Sequence, residues 1–132
     1  MILVDTSAWV EFDRATGSGV DDQLTHLVAN TDDVAVTEPV IMEVLSGART
    51  DDREHDLRRL MQRFTLLRFD PVIDFDAATH VYRTCRRSGV TPRGMVDCMI
   101  AAVAWRHNTN ILAADADLAR VGEVMGITVE GR

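Results

Sequence analysis

Two acidic residues follow short apolar runs that are typical of buried strands. Asp5 comes directly after residues 2–4, and Asp115 comes shortly after residues 110–113. In open parallel α/β sheets, ligands bind beyond the carboxyl ends of the strands, at the point where the strand order reverses. If these two strands are neighbours at that point, both carboxylates face one crevice. The pair is therefore a candidate catalytic or ligand-binding site.

Two further acids lie inside segments that are otherwise apolar. Glu43 lies within residues 40–45 and Asp97 within residues 95–105, and both segments resemble helices that are apolar on nearly every side. We therefore expect both carboxylates to be largely buried. An unpaired buried carboxylate is costly, and the chain has no lysine to pair with it. A divalent cation such as Mg²⁺ or Mn²⁺ would remove that cost, because hard ions bind carboxylate oxygen.

Each of these acids also has an interpretation without a catalytic function. Asp5 and Asp115 can cap the helices that follow them, and for either residue alone the cap and the ligand carry equal weight. Asp97 can cap a helix that begins late. Glu43 is the hardest to explain in this way, because a glutamate inside a helix normally faces water. The four acids together indicate a common site more strongly than any one of them does.

Three neighbours of the acids have open roles. Asp117 can be a fifth metal ligand, a residue that supports a ligand, or a helix cap. Thr6 and Ser7 can donate hydrogen bonds to a metal-bound carboxylate or to water. Capping of the first helix is the simpler interpretation for both.

Composition limits what surrounds these residues. The 132 residues, 46% of them hydrophobic, fit a single domain over residues 1–132. All 14 basic residues are arginines, which excludes mechanisms that need a lysine, and the net charge of −7 repels phosphate unless cations neutralise the acids. The chain shows no apolar run of ~20 residues, no secretory signal and no CxxC motif. These features predict a protein of the reducing cytoplasm.

Short apolar runs alternate with helical patterns along the chain. Strands are predicted at residues 2–4, 34–36, 66–69, 110–113 and 127–129. Helices are predicted from a cap at Thr6 or Ser7 to residue 14, and at residues 21–29, 38–45, 53–64, 71–87, 94–106 and 117–125. This alternation predicts a three-layer α/β/α fold with a parallel sheet of four to five short strands.

Four segments of the chain resemble the PIN domain, and more narrowly the VapC-type toxins of bacterial toxin–antitoxin pairs. They are residues 4–9 (VDTSAW), 38–47 (EPVIMEVLSG), 96–102 (VDCMIAA) and 110–118 (NILAADADL), in the family's order and spacing. On this resemblance the family's acidic positions correspond to Asp5, Glu43, Asp97 and Asp115, with a further acid at Asp117. Family members often have a histidine or threonine before the fourth acid and a phenylalanine after the last. This chain has Ala114 and Leu118 there.

The resemblance implies a strand order of 3-2-1-4-5 and a metal-dependent endoribonuclease. Such enzymes hydrolyse phosphodiester bonds of RNA, commonly tRNA or ribosomal RNA, with one or two Mg²⁺ or Mn²⁺ ions held by the four acids. It also implies a VapB-like antitoxin that covers the metal site, a homodimer or toxin–antitoxin hetero-oligomer, and no membrane association.

Two further sets of residues are candidate contacts for RNA or for a partner chain. Arg93, four residues before Asp97, is the first choice for contacting RNA phosphate, and the weaker choices are Arg14, Arg49, Arg86 and Arg87. Trp9 and Phe12 are either contacts for a partner chain or part of the core.

Three other classes compete with the nuclease. A phosphatase of the haloacid dehalogenase type needs a second aspartate two residues after the first, where this chain has Ser7. A signalling receiver domain needs a lysine that is missing here. A PIN-like binding module without activity, whose carboxylates are structural, remains the alternative.

Overall fold

Five short strands form one parallel sheet in the computed structural model, which describes residues 1–131. The strands are β1 (Ile2–Val4), β2 (Val34–Val36), β3 (Thr65–Leu66), β4 (Ile111–Leu112) and β5 (Val129–Glu130). Their order across the sheet is β3-β2-β1-β4-β5, and every neighbouring pair is parallel. The predicted fold class and strand order are therefore confirmed.

Seven helices connect and cover the strands. They are α1 (Thr6–Asp13), α2 (Gly19–Leu27), α3 (Glu38–Ser46), α4 (Asp51–Met61), α5 (Asp74–Arg87), α6 (Met95–Arg106) and α7 (Ala116–Met125), with a 3₁₀ turn at Thr31–Asp33. The sequence predicted all seven helices, and the differences lie at their ends. None of the helices within residues 1–131 combines the length and apolar character needed to cross a membrane.

The core lies on both faces of the sheet. Leu3 and Val4 of β1, Ala35 of β2 and Leu112 of β4 are completely inaccessible to solvent. Strands buried on both faces need apolar side chains at every position, which explains the short unbroken apolar runs in the sequence. Trp9 also belongs to this core: it is 2% exposed and packs against Phe64 with a ring-centroid distance of 5.3 Å. Trp9 is therefore not a surface contact for a partner.

The third strand lies one position earlier and is shorter than predicted. Thr65 and Leu66 form β3 at the edge of the sheet, and both are exposed. Phe69, which the sequence placed in this strand, instead packs edge-to-face against Phe75, with ring centroids 4.8 Å apart. An edge strand has one partner only, so side-chain packing can end the ladder early.

A buried ion pair fixes the two helices that follow. Asp74, the first residue of α5, is completely buried and accepts hydrogen bonds from Arg106 at the end of α6, at 2.9 Å from Nε and 2.7 Å from Nη2. Burial alone would raise the pKa of Asp74, but hydrogen bonds from Arg106 and the backbone of Asp70 hold it below its usual value. Because the contact joins the start of α5 to the end of α6, the helices are antiparallel.

Candidate active site

The strand order reverses at β1 and β4, and both predicted strand-end acids lie there. Asp5 caps α1 by accepting a 3.0 Å hydrogen bond from the Ser7 amide, and Asp115 caps α7 by accepting a 2.9 Å bond from the Asp117 amide. Both acids also line one cleft of about 400 Å³, together with Glu43, Asp97 and Arg93. Each cap uses a single carboxylate oxygen, so capping leaves the other oxygen available for a ligand.

Asp5 is the most buried acid of the cleft. Its side chain accepts hydrogen bonds at Oδ2 from the backbone and hydroxyl of Ser7, while Oδ1 is buried and has no partner within residues 1–131. Burial raises the pKa of Asp5, the hydrogen bonds from Ser7 oppose the rise, and the nearby charges of Glu43 and Asp115 add to it. A buried carboxylate oxygen without a partner is costly unless a cation or a proton binds it.

Glu43 and Asp97 are half-buried, and the prediction that both are largely buried is wrong. The reason is that the side of each helix that carries the acid borders the open cleft, while Val40 and Val44 of α3 and residues 100–104 of α6 lie in the core. Glu43 on α3 accepts a 2.6 Å hydrogen bond at Oε1 from the hydroxyl of Thr6. Asp97 is the third residue of α6, whose cap position is Gly94, so it does not cap that helix.

Asp97 carries the clearest electrostatic signature in the cleft. Burial raises its pKa to about 7, and the negative charges of Asp5, Asp115 and Glu43 add to the effect, while Arg93 opposes it. All three other acids are therefore close enough to repel its charge. Perturbed carboxyl groups of this kind cluster at functional sites.

Thr6 and Ser7 support carboxylates and do not cap the first helix. Asp5 holds the cap position instead, which corrects the simpler interpretation of both residues. The hydroxyl of Ser7 donates to Asp5 at 2.6 Å and accepts a 2.9 Å bond from the Ala114 amide, while Thr6 bonds Glu43. Ser7 thereby joins the end of β1 to the segment that leaves β4.

Arg93 lies in the cleft and pairs with two of the acids. Its Nη2 is 2.7 Å from Asp115 Oδ1 and its Nε is 3.1 Å from Asp117 Oδ2, although the side chain is 65% exposed. Asp117 also pairs with Arg120. The sequence places Arg93 four residues before Asp97 but gives no sign that it neutralises Asp115, 22 residues later in the chain.

The cleft has a donor set suited to a hard divalent cation, but its ligand shell is open. Within residues 1–131, no three acidic, histidine or cysteine side chains converge closely enough to chelate one ion as they stand. Existing hydrogen bonds explain part of this separation between the acids. Thr6 binds one carboxylate oxygen of Glu43, and Arg93 binds one carboxylate oxygen of Asp115. The unpartnered Asp5 oxygen and the raised pKa of Asp97 nevertheless fit a Mg²⁺-type or Mn²⁺-type site.

Replacing Arg93 with glutamine is expected to raise the pKa of Asp97 further. Arg93 is the positive charge that opposes the rise, so its loss leaves burial and the three neighbouring acids unopposed. We expect an increase smaller than the ~1–3 units produced by a charge in direct contact. Carboxyl-carbon NMR titration measures it. Arg120→Gln is the matched control, and an equal rise in both variants, or none in R93Q, would refute this assignment.

Comparison with known proteins places the chain among defined relatives. The family model described as PIN domain matches residues 2–124. VapC ribonuclease Mb1587 of Mycobacterium bovis and ribonuclease VapC11 of Mycobacterium tuberculosis are each 43% identical over 128 residues, which cover 96% of this chain and 96% of each relative.

Solved structures show the same fold at low sequence identity. The structure of VapBC2 from Rickettsia felis, bound to a DNA fragment from their promoter, matches with a TM-score of 0.75 and 16% identity, covering 98% of both chains. FitAcB from Neisseria gonorrhoeae matches with a TM-score of 0.75 and 18% identity, covering 98% of this chain and 96% of that one.

Proposed function

Because the chain belongs to the PIN domain family, we propose that it is a metal-dependent endoribonuclease and the toxin of a toxin–antitoxin pair. The observation that carries this proposal is the grouping of four acids, from four separate segments, at the cleft where the strand order reverses. The ribonuclease names of relatives whose match covers 96% of the chain support RNA as the substrate. We propose that residues 1–132 act as one domain in the cytoplasm.

We assign the cation to Asp5, Glu43, Asp97 and Asp115, with Asp117 as a further candidate ligand. When bound, a divalent cation lowers the pKa of a water molecule and stabilises the negative charge that develops on the phosphate. Mg²⁺ or Mn²⁺, as one or two ions, fits the all-oxygen donor set. The aspartate carboxylates of the cleft must be deprotonated to bind it, which for Asp97 requires a pH near or above 7.

Other residues of the cleft orient the ligands and the substrate. Ser7 fixes one oxygen of Asp5 and leaves Oδ1 for the cation, and Thr6 holds Glu43 in the cleft wall. Arg93 is the candidate phosphate ligand, because its guanidinium pairs with Asp115 and Asp117 and is still exposed enough to reach a substrate.

The proposed partner is a VapB-like antitoxin that covers this cleft. Solved structures with the same fold include a toxin–antitoxin complex and a member of the VapBC family of toxin–antitoxin systems, which supports an assembly of the same kind here. An antitoxin that presents a basic side chain to the four acids would replace the cation and block the site. A homodimer or a toxin–antitoxin hetero-oligomer is the proposed assembled form.

Cleavage of unfractionated tRNA by the purified chain tests the proposed activity. We expect cleavage with Mg²⁺ or Mn²⁺, its loss on addition of EDTA, and products that carry 5′-phosphate and 3′-hydroxyl ends. Sequencing of new 5′ ends after expression in cells would then locate the cut. Metal-independent cleavage, or products with cyclic phosphate ends, would contradict the proposal.

One observation favours the alternative of an inactive PIN-like binding module. Thr6 and Arg93 already occupy oxygens of two of the four acids, so the carboxylates have structural partners without a cation. Melting temperature and RNA cleavage, measured together, distinguish the nuclease from the binding module. A Mn²⁺-dependent rise in melting temperature together with cleavage supports the nuclease, and the same rise without cleavage supports the binding module.

A further inference from the structure

The last two turns of α5 carry a cluster of exposed arginines that the proposed site does not use. Tyr82, Arg83, Arg86 and Arg87, here called the arginine face, line a hollow of about 290 Å³. Their spacing places them on one side of the helix, while Val81 and Cys85 are buried. The three arginines are exposed and Tyr82 is half-buried beside them.

The charges of the arginine face are not neutralised within the described part of the chain. Ion pairs engage Arg53, Arg58, Arg93, Arg106 and Arg120, but none involves a member of this face. Arg86 instead contacts Tyr82, with Nη1 3.3 Å from the phenol oxygen, and Arg87 donates to the hydroxyl of Thr84. Arginines at a helix C-terminus complement its dipole. That effect is confined to the last turn and does not account for Arg83, or for a hollow among three unpaired cations.

The geometry of α5 and α6 places this face at the catalytic end of the molecule. The Asp74–Arg106 contact joins the first residue of α5 to the last residue of α6, at the end of this helix pair opposite the arginine face. Counting nine residues along each helix from that contact brings Arg83 level with Asp97. Both are then about 13 Å from the ion pair at ~1.5 Å per residue. Packed helices lie ~8–10 Å apart, so Arg83 and Asp97 lie at the same end of the α5–α6 pair. Among the described residues, none of α5 lines the acidic cleft, so the arginine face is a separate surface at that end.

We propose that the arginine face binds the phosphate backbone of the RNA outside the acidic cleft, with the Tyr82 ring next to an unpaired base. This inference rests on the proposed ribonuclease function. The cleft itself is acidic in a chain of net charge −7, so it cannot hold the flanking phosphates. Unpaired guanidinium groups beside an aromatic ring have the chemistry of single-stranded nucleic-acid sites, where cations track the backbone and rings stack on bases.

The test compares a triple variant, R83Q/R86Q/R87Q, with a matched control, R59Q/R63Q/R68Q, that removes the same charge from exposed arginines on and after α4. Binding of fluorescein-labelled tRNA is measured with Mn²⁺ between about 50 and 200 mM KCl, in an Asp97→Asn background. A Lys variant, R83K/R86K/R87K, keeps the charge. Melting temperature and circular dichroism establish that all variants are folded.

We expect the Gln variant of the arginine face to weaken RNA binding about tenfold or more at about 100 mM salt. Three lost phosphate contacts should also flatten the slope of log K against log salt by about 2, at ~0.7 per contact on a single strand. The Lys variant should restore most of the slope. In the cleavage-competent chain the Gln variant should raise KM and leave kcat unchanged, because these residues hold substrate equally in the ground and transition states.

Three outcomes would overturn the inference: an unchanged slope, an equal loss in the R59Q/R63Q/R68Q control, or displacement of the labelled RNA by poly-glutamate as effectively as by unlabelled RNA. The last would identify the face as a site for an acidic peptide. A different result would refute the proposed ribonuclease function alone: the parent chain would bind RNA through the arginine face without cutting it.

Discussion

Replacing Asp97 with asparagine is expected to reduce RNA cleavage by at least about a hundredfold while stabilising the cation-free protein at pH 8. The substitution keeps the shape of the side chain but removes one negative oxygen from the proposed ligand set. Loss of residues that merely support metal ligands costs ~10–100-fold, so a direct ligand should cost more. Single-turnover cleavage of tRNA measures the loss, and Asp56→Asn on the exposed side of α4 is the control.

The stability effect has the opposite sign because the Asp97 charge is unfavourable in the fold. A carboxyl group with a pKa raised to about 7 contributes stability below its unfolded pKa of ~4, and this contribution is lost as the pH rises through 7. The asparagine of the variant would stay neutral throughout. The melting temperature of the variant should therefore exceed that of the parent increasingly from pH 4 to 8, by several degrees or about 1–2 kcal/mol after allowance for solvent screening. A lower melting temperature at pH 8 would contradict this account.

Replacing Arg106, the positively charged member of the buried ion pair between α5 and α6, is expected to lower the stability of the fold strongly. Arg106→Met would leave the buried Asp74 carboxylate without its partner, which typically costs ~3–5 kcal/mol. Arg106 is 29% exposed, so the lower end applies and the melting temperature should fall by about 10 °C. Arg58→Met, which breaks an exposed pair with Glu54, should cost less than ~1 kcal/mol.

The pH dependence of the same pair offers an independent check. The pKa of Asp74 is lowered in the fold because the Arg106 contacts outweigh the effect of burial, so its stabilisation exists above the unfolded pKa and disappears as the pH falls. The difference between parent and R106M should therefore shrink below about pH 4. The double variant D74N/R106M should recover part of the loss. A constant difference at all pH values would show that Arg106 acts by packing alone.

The sequence was sufficient to predict the inner strands β1 and β2, because the relevant signals are local. Unbroken apolar runs at residues 2–4 and 34–36 predicted strands buried on both faces, and helices between them required parallel pairing. The four acids were located from the same local features, namely strand ends and acids within apolar helices. The structure places all four around one cleft.

The features that the sequence did not predict depend on contacts with other side chains, some of them far apart in the chain. Helix α5 begins at Asp74 instead of at Pro71, because Asp70 holds the preceding amides in a turn and Arg106 holds Asp74. The capping role assigned to Thr6 and Ser7 was wrong because Asp5 competes for the same position. Pairing of Arg93 with Asp115 spans 22 residues, and no local pattern encodes it.

Titration of the purified chain with Mn²⁺ in a calorimeter tests directly whether the four acids of the cleft bind a divalent cation. We expect saturable binding at pH 8 that weakens at least about tenfold in both Asp5→Asn and Asp97→Asn, and that is unchanged in Asp56→Asn. We also expect tighter binding in Arg93→Gln, because the cation no longer competes with a guanidinium for Asp115. An absence of binding by the parent chain, or equal affinity in all four variants, would show that the acids are structural and that the cleft is not a metal centre.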